Sequence, residues 1–204
     1  MNVGIIDYGL CNMFSIFSAV ESLGHKSYFI KNSQDIDKYD KIILPGVGSF
    51  RDGMKGLQEN NFINRICDYV ENEGHFMGIC LGMQMMFSES HEFGIHKGLG
   101  LIKGKIIKIP EKVANKRHKI PHLGWNKLII NNKLQNKIVN DNTYMYFVHS
   151  YMANCDTTSI IAYTNYNGIQ IPAITNYKES FGCQFHPEKS GEAGLIMLNK
   201  FINL

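Results

Sequence analysis

The first half of the chain alternates short apolar runs with amphipathic stretches, and this alternation strongly limits the fold. Strands are predicted at residues 3–6, 27–30, 41–44 and 75–79, and helices at residues 12–23 and 53–72. Strands that alternate with helices pair in parallel through right-handed crossovers, and the helices then cover both faces of the sheet. The sequence therefore predicts an α/β fold with a central, mostly parallel sheet flanked by helices.

Beyond about residue 98 the chain changes to shorter strand candidates separated by turns, and it closes with an amphipathic helix. The strand candidates are residues 101–109, 128–130, 144–148, 159–164, 173–176 and 181–185, and the helix is 191–203. This pattern is typical of turn-connected strands, and the sequence contains no obvious linker or internal repeat. We therefore expect a single domain over residues 1–204 with a β-rich second half.

Composition excludes several classes of protein. The 21 basic and 18 acidic residues give a net charge of +3, which is too slight to predict a nucleic-acid or anionic-membrane partner. No apolar run approaches the roughly 18 residues that a membrane span needs, and the N-terminus does not resemble a signal peptide. The scattered cysteines form no CxxC pair or His/Cys cluster, so we expect a cytoplasmic protein without a disulfide framework or metal site. They are Cys11, Cys67, Cys80, Cys155 and Cys183.

Cys80 stands at the joint between a predicted strand and a helix predicted over residues 81–87. Gly78 and Gly82 lie two residues before and two residues after it. Because glycine has no Cβ, the chain can turn sharply here and the helix can pack close to the strand, as in a nucleophile elbow. A thiol at a helix N-terminus is favoured as the thiolate. The alternative is an inert cysteine packed in an apolar strand.

A base for this thiol is predicted near the end of the chain. His186 follows an apolar run and Pro187 ends it, which would leave the imidazole exposed at the end of a strand. Glu188 can curl back to accept the other ring N–H, so fixing the tautomer and stabilising the imidazolium. The pattern predicts a Cys80–His186–Glu188 triad, although a histidine at a strand end is often only structural.

Acyl chemistry also needs N–H donors where the oxyanion forms. The amide of Leu81 directly follows the nucleophile, and Pro-Gly-Val-Gly at residues 45–48 follows another predicted strand. Gly46 and Gly48 would let this backbone approach closely, and the alternative is an ordinary turn. They do not start a dinucleotide-binding fingerprint, because Arg51 occupies the position of its third glycine.

Residues 78–84, 185–188 and 45–48 together resemble the class I (triad) glutamine amidotransferases, and the resemblance covers almost the whole chain. It implies a flavodoxin-like α/β sheet and a glutaminase reaction that needs no cofactor. Cys80 would attack the side-chain amide of L-glutamine, His186 would protonate the departing ammonia, and water would hydrolyse the glutamyl thioester. The resemblance also implies a glutamine pocket formed by Gly46, Gly48, Leu81, Gln84, Glu92, Ser150 and Tyr151.

For some of these pocket residues, physical reasoning independently indicates a place in the pocket. Gln84 lies one helical turn after Cys80 and therefore on the same face. Glu92 could pair with the α-ammonium group of glutamine, or it could be a surface carboxylate. Ser150 and Tyr151 are expected to contribute backbone groups.

Residues 121–126, 146–151 and 186–190 resemble one branch of the family in particular. Its members are glutaminase subunits that form heterodimers with a (β/α)8-barrel cyclase of histidine biosynthesis and pass ammonia to it. The resemblance implies supporting roles for His122 and His149. It also implies that five residues lie at interface positions: Tyr8, Asn12, Trp125, Asn126 and Lys189.

One departure from the branch leaves the partner open. The branch commonly reads Asp-Tyr-Gly-x-Gly-Asn where residues 7–12 read Asp-Tyr-Gly-Leu-Cys-Asn, so Cys11 replaces a glycine. A Cβ restricts φ and could change this loop. The alternatives are a paralogous subunit that feeds a surface-sugar amidation enzyme, a stand-alone cysteine hydrolase, and a non-catalytic binding or regulatory subunit.

Overall fold

The computed structural model describes residues 1–9, 13–113, 116–131 and 138–204, so the predictions for Cys11 and Asn12 lie outside the described residues. The helices are α1 (Met13–Ser22), α2 (Phe50–Glu59), α3 (Phe62–Glu71), α4 (Leu81–Met85) and α5 (Gly191–Ile202). The strands are β1 (Asn2–Ile6), β2 (Lys26–Ile30), β3 (Lys41–Leu44), β4 (Phe76–Ile79), β5 (Phe87–Ser90), β6 (His96–Lys97), β7 (Ile102–Lys108), β8 (Lys112–Val113), β9 (Lys116–Arg117), β10 (His122–Lys127), β11 (Ile129–Ile130), β12 (Tyr144–His149), β13 (Tyr151–Cys155), β14 (Ile160–Tyr166), β15 (Ile169–Tyr177) and β16 (Ser180–Cys183). Short 3-10 helices span Ser33–Lys38, Thr157–Ser159 and Pro187–Lys189.

The larger sheet has eight strands in the order β11-β14-β15-β16-β4-β3-β1-β2. Neighbours from β2 to β16 are parallel, as predicted for the first half of the chain. The remaining strands extend the sheet in antiparallel fashion, so the whole sheet is mixed. Tight turns join β14 to β15 and β15 to β16, and such turns permit only antiparallel pairing.

The smaller β elements bear out the prediction of a β-rich second half. Strands β13, β7, β5 and β6 form a four-stranded sheet, while β10 pairs with β12 and β8 with β9. The last pair forms a small hairpin within the basic run at residues 112–119. Strands β10 and β13 were not predicted, because their glycine and polar residues obscure the alternation expected of a strand.

Both faces of the larger sheet are buried. Ile43 and Met77 face a core that includes α1 and α5, whereas Ile42 and Phe76 face a core that includes α2 and α3. Successive residues of a strand point to opposite faces, so each central strand must be apolar on both sides. In the described residues, no helix is long and apolar enough to cross a membrane.

Two helix predictions differ from the structure. The helix predicted at residues 53–72 is divided into α2 and α3 by Asn61, which takes φ = 58° and so interrupts the helical backbone. The helix predicted from Leu81 to Phe87 ends at Met85, and Phe87 begins β5. The carbonyl of Met85 accepts a hydrogen bond from the amide of Leu99, which draws the chain into the smaller sheet.

Candidate active site

Cys80 occupies a sharp turn at the carboxyl end of β4. Its backbone has φ = 54° and ψ = −106°, and its N–H donates to the carbonyl of Cys183 at 2.8 Å. A Cβ at Gly82 would lie 1.9 Å from the carbonyl oxygen of Leu44, and one at Gly78 would lie 2.7 Å from the Gly82 backbone. The two glycines therefore permit the close packing that holds the thiol at the end of the strand.

His186 and Glu188 meet Cys80 at this edge of the sheet. The Nδ1 atom of His186 lies 2.8 Å from Oε1 of Glu188, and both side chains are buried. Burial by itself lowers the pKa of His186, but hydrogen bonds and negative charge from Cys80 and Glu188 outweigh it and raise the pKa to about 10. This environment favours the imidazolium form of His186 at neutral pH.

The other described cysteines have a different environment. Cys183 is completely buried next to the site, and burial raises the pKa of its thiol well above the ordinary value. Burial also raises the pKa of Cys67, and it raises that of Cys155 to about 11. These thiols stay protonated at neutral pH, so they are poor candidates for the nucleophile, and Cys80 stays the predicted one.

A cavity of about 750 Å³ opens above Cys80 and His186, a size that suits a small-molecule ligand. Six of the residues predicted for the glutamine pocket line it: Gly48, Leu81, Gln84, Glu92, Ser150 and Tyr151. Residues that the sequence did not indicate as pocket residues also line it, namely Val47, Phe93, Lys108, Ile120, Val148 and His149.

Gly46 lies beneath the cavity. A Cβ there would come within 2.8 Å of both the Leu81 side chain and the hydroxyl of Tyr8, so the glycine lets residues 45–48 pack against the elbow. Tyr8 is only 3% exposed, and its hydroxyl donates to the carbonyl of Pro45 at 3.0 Å. The side chain of Tyr8 therefore supports residues 45–48 from within the chain, and its place at a partner interface stays a prediction.

Gln84 is held by its amide nitrogen. Nε2 donates to the carbonyl of Tyr151 at 3.1 Å and to Oε1 of Gln184 at 3.0 Å. Gln184 is completely buried, and the sequence argument missed it. Strand periodicity could have found it, since Gln184 stands two residues before His186 and residues i and i+2 of a strand share a face.

Glu92 is anchored at the cavity wall. Its Oε2 accepts a hydrogen bond of 2.6 Å from the backbone N–H of Phe50, the first residue of α2. This contact places a carboxylate at a helix N-terminus, where negative charge is favourable. Across the described ranges, Oε1 of Glu92 has no hydrogen-bond partner, so it can accept one from a ligand.

Two buried histidines connect the cavity with β10. His149 Nδ1 lies 2.8 Å from the carbonyl of Tyr151, and His149 Nε2 lies 2.8 Å from His122 Nδ1. His122 Nε2 is 2.9 Å from Oδ1 of Asn126, whose Nδ2 donates to the carbonyl of Asn165 at 3.2 Å. Burial lowers the pKa of His149 to about 3, with further repulsion from His122 and His186, so His149 is neutral at pH 7.

The remaining predicted interface residues lie at the surface. Trp125 is 53% exposed on the outward face of β10 and β12, beside the exposed Leu123 and Tyr144. Asn126 is half-buried, and Lys189 is exposed and also lines the cavity. In the part of the chain that the structure describes, no group of three or more His, Cys, Asp or Glu residues is placed to hold a metal ion.

Proteins of known sequence resemble this chain over its whole length. A chain 42% identical over 211 residues, covering 100% of this chain and 99% of its own length, is imidazole glycerol phosphate synthase subunit HisH 1 of Legionella pneumophila (strain Lens). Subunit HisH of Bacillus subtilis (strain 168) is 38% identical over 99% of this chain and 96% of its own length.

Solved structures share the fold at lower identity. The structure of PurLQS from Thermotoga maritima matches with a TM-score of 0.75 and 20% identity, covering 99% of this chain and 97% of that one. A crystal structure of a glutamine amidotransferase matches with a TM-score of 0.75 and 14% identity, covering 99% of both chains. The family model described as Glutamine amidotransferase class-I matches residues 4–204. The chain belongs to the class I glutamine amidotransferase family.

Proposed function

We propose that this chain is the glutaminase subunit of an imidazole glycerol phosphate synthase. It hydrolyses L-glutamine to glutamate and ammonia, and it passes the ammonia to a (β/α)8-barrel cyclase subunit of histidine biosynthesis in a cytoplasmic heterodimer. Residues 1–204 act as one glutaminase domain. The observation that carries the proposal is that Cys80 and His186 line one cavity and that Glu188 contacts His186, and the relatives named HisH support the choice of synthase.

The chemistry follows from the charges at the site. The Cys80 thiolate attacks the amide carbon of glutamine, and the N–H groups of Leu81 and of residues 46–48 stabilise the resulting oxyanion. His186 then gives its proton to the departing nitrogen, which leaves as ammonia and a glutamyl thioester remains. Water, deprotonated by His186, hydrolyses the thioester and regenerates the thiolate and the imidazolium. Glu188 keeps the imidazole in the required orientation throughout.

Glutamine is recognised by two acceptor oxygens at the wall of the cavity. Oε1 of Glu92 has no hydrogen-bond partner among the described residues, and neither has Oε1 of Gln84. An α-ammonium group needs such acceptors, and the carboxylate of Glu92 also balances its charge. The α-amino end of the substrate therefore lies towards these two residues, with its side-chain amide directed at Cys80.

The face that carries Trp125 is the proposed docking surface for the cyclase. Exposed aromatic and aliphatic side chains are enriched at such interfaces, and Leu123 and Tyr144 extend the apolar area around Trp125. Lys189 both lines the cavity and is exposed, so a partner that contacts Lys189 would cover the place where ammonia leaves. Asn12 and Asn126 belong to the same proposed interface.

The test is glutamate release from glutamine with and without the purified cyclase subunit and its substrate. We expect the cyclase to activate the reaction, and we expect Cys80→Ala to reduce it by at least about a thousandfold, since the nucleophile is lost. Cys155→Ala is the matched control and should retain activity.

Two outcomes would contradict the proposal. Substantial activity in the Cys80→Ala variant would exclude the triad. A protein that ignores the cyclase but binds and serves a surface-sugar amidation enzyme would exclude the histidine pathway and support the paralogous role suggested by Cys11.

A further inference from the structure

Gln184 is a buried amide that contacts the nucleophile directly. It follows β16, its side chain has no exposed surface, and its backbone N–H donates to the carbonyl of Ala173 at 2.9 Å. Its Nε2 lies 3.8 Å from Sγ of Cys80, within hydrogen-bond range for sulfur, and its Oε1 accepts from Gln84. The chemistry proposed above assigns no role to this residue.

The orientation of both glutamine amides is determined by one backbone carbonyl. The oxygen of Tyr151 can only accept, so the atom of Gln84 that faces it must be the nitrogen. The same nitrogen faces Gln184, which must therefore present its oxygen to Gln84. That leaves the nitrogen of Gln184 directed at the sulfur of Cys80. Reversing the Gln84 amide would bring two acceptors together, and reversing the Gln184 amide would bring two donors together.

This arrangement of hydrogen-bond donors affects both Cys80 and Gln84. At one end an amide N–H points at the sulfur, and a hydrogen bond to the charged form of a group favours that form. At the other end the carbonyl oxygen of Gln84 is the atom left without a partner among the described residues, and Gln84 lines the cavity. His149 donates to the same Tyr151 carbonyl and so helps to hold the arrangement.

We propose that Gln184 is a positioning residue for the reaction. It stabilises the thiolate of Cys80 through its N–H, and it fixes Gln84 so that a carbonyl oxygen faces an N–H group of the ligand. The second role rests on the proposed glutaminase function, whereas the first concerns the thiol alone and is measured without glutamine or partner.

The first test follows alkylation of Cys80 by iodoacetamide as a function of pH in the full chain. Gln184→Met keeps the volume but removes the N–H, and we expect alkylation of Cys80 at pH 7 to slow by about tenfold and its pH midpoint to rise, as for the loss of one hydrogen bond to a charged group. Ser180→Ala, a buried substitution on the preceding strand β16, is the control and should leave the midpoint unchanged. A wild-type midpoint in folded Gln184→Met would overturn the first role.

The second test measures glutaminase kinetics with the cyclase subunit present. It distinguishes the role of the amide nitrogen of Gln184 from the role of its amide oxygen. Gln184→Glu still offers Gln84 an acceptor but places an oxygen against the sulfur, so we expect kcat to fall with little change in KM. Gln184→Met also releases Gln84, so its KM for glutamine should rise several-fold as well. Equal KM values in the two variants would overturn the second role.

The two proposed roles of Gln184 can be decided independently of each other. If Gln184→Met fails to fold, Gln184→Glu carries the alkylation test alone, and an unchanged pH midpoint there would overturn the first role. A wild-type protein without glutaminase activity would reject the proposed function and, with it, the second role, while the alkylation result would still decide the first.

Discussion

At the scale of single residues, two buried histidines show how neighbours decide a protonation state. His186 contacts the thiol of Cys80 and the carboxylate of Glu188, and these outweigh burial and raise its pKa to about 10. His149 has a backbone carbonyl and another imidazole as partners, and burial lowers its pKa to about 3. The first environment favours a cation for acid–base chemistry, whereas the second keeps a neutral ring in place.

The low pKa of His149 predicts a loss of stability in acid. Its folded-state pKa of about 3 lies below the ordinary value of 6.5, so the unfolded chain binds more protons between these values and stability is lost as the pH falls below about 6.5. From pH 7 to pH 5 we expect this residue to lower the free energy of unfolding by about 2 kcal/mol. Urea unfolding at pH 7 and at pH 5 measures this change in the free energy of unfolding.

The control for this prediction is a comparison of variants. His149→Asn should show a smaller difference between the two pH values than the wild type. An unchanged difference in His149→Asn would show that His149 does not determine the acid sensitivity.

At the scale of elements, the elbow depends on the close approach of three segments. Strand β3, the start of α4 and strand β4 meet around Gly78 and Gly82, where there is no room for a Cβ. Helix α4 has only five residues, so tertiary contacts rather than its own hydrogen bonds must stabilise it. The nucleophile is therefore positioned by packing between elements.

Substitution of Gly82 tests this packing. We expect Gly82→Ala to lower the free energy of unfolding by at least about 3 kcal/mol, because the new Cβ would collide with a backbone carbonyl that cannot move aside cheaply. Gly24→Ala is the control: Gly24 has open space and φ = 81°, so only the backbone conformation should cost energy, about 1 kcal/mol. Equal losses in urea unfolding would contradict the packing argument.

The sequence was most informative where one short segment contains both an element boundary and a reactive group. The elbow at Cys80 and the His186–Glu188 pair are such segments. The parallel arrangement of β1 to β4 was also predicted, because these strands alternate with helices along the chain. The early end of α4 and the burial of Tyr8 depend instead on contacts with residues far away in the sequence. Strand periodicity could place Gln184 on the face of His186, but its contacts with Gln84 and Cys80 appear only in the folded chain.

At the scale of the whole molecule, the catalytic edge of the larger sheet and the outward face of β10 and β12 are connected through buried histidines. The cavity contains His149, and the exposed Trp125 lies on the strand that also carries His122 and Asn126. The proposed partner would therefore dock on a strand whose inward side chains reach the glutamine pocket.

Removal of the exposed indole tests the docking surface. We expect Trp125→Ala to raise the Kd for the cyclase subunit by at least about tenfold while leaving the fold intact, since exposed tryptophans at interfaces often contribute strongly to affinity. Tyr28→Ala is the control, because Tyr28 is also exposed, at 41%, but lies on edge strand β2. Calorimetric titration would contradict the prediction if both variants bound equally well.

The chain of contacts from Tyr151 to Asn165 has too few hydrogens. His149, His122 and Asn126 form four successive contacts between the two carbonyls, and each contact needs one hydrogen. Each neutral imidazole has one N–H and so supplies one hydrogen. The NH2 group of Asn126 faces either His122 or Asn165, so it supplies a hydrogen to only one of its two contacts. Three hydrogens therefore serve four contacts, whichever tautomers are present. Burial lowers the pKa of both imidazoles, so a fourth hydrogen as an added proton is disfavoured. One of the four contacts therefore brings two acceptors together. Water or a docked group that donates an N–H or O–H to Asn126 would satisfy an acceptor there, and a partner that covered Asn126 without such a donor would lose about 1–3 kcal/mol.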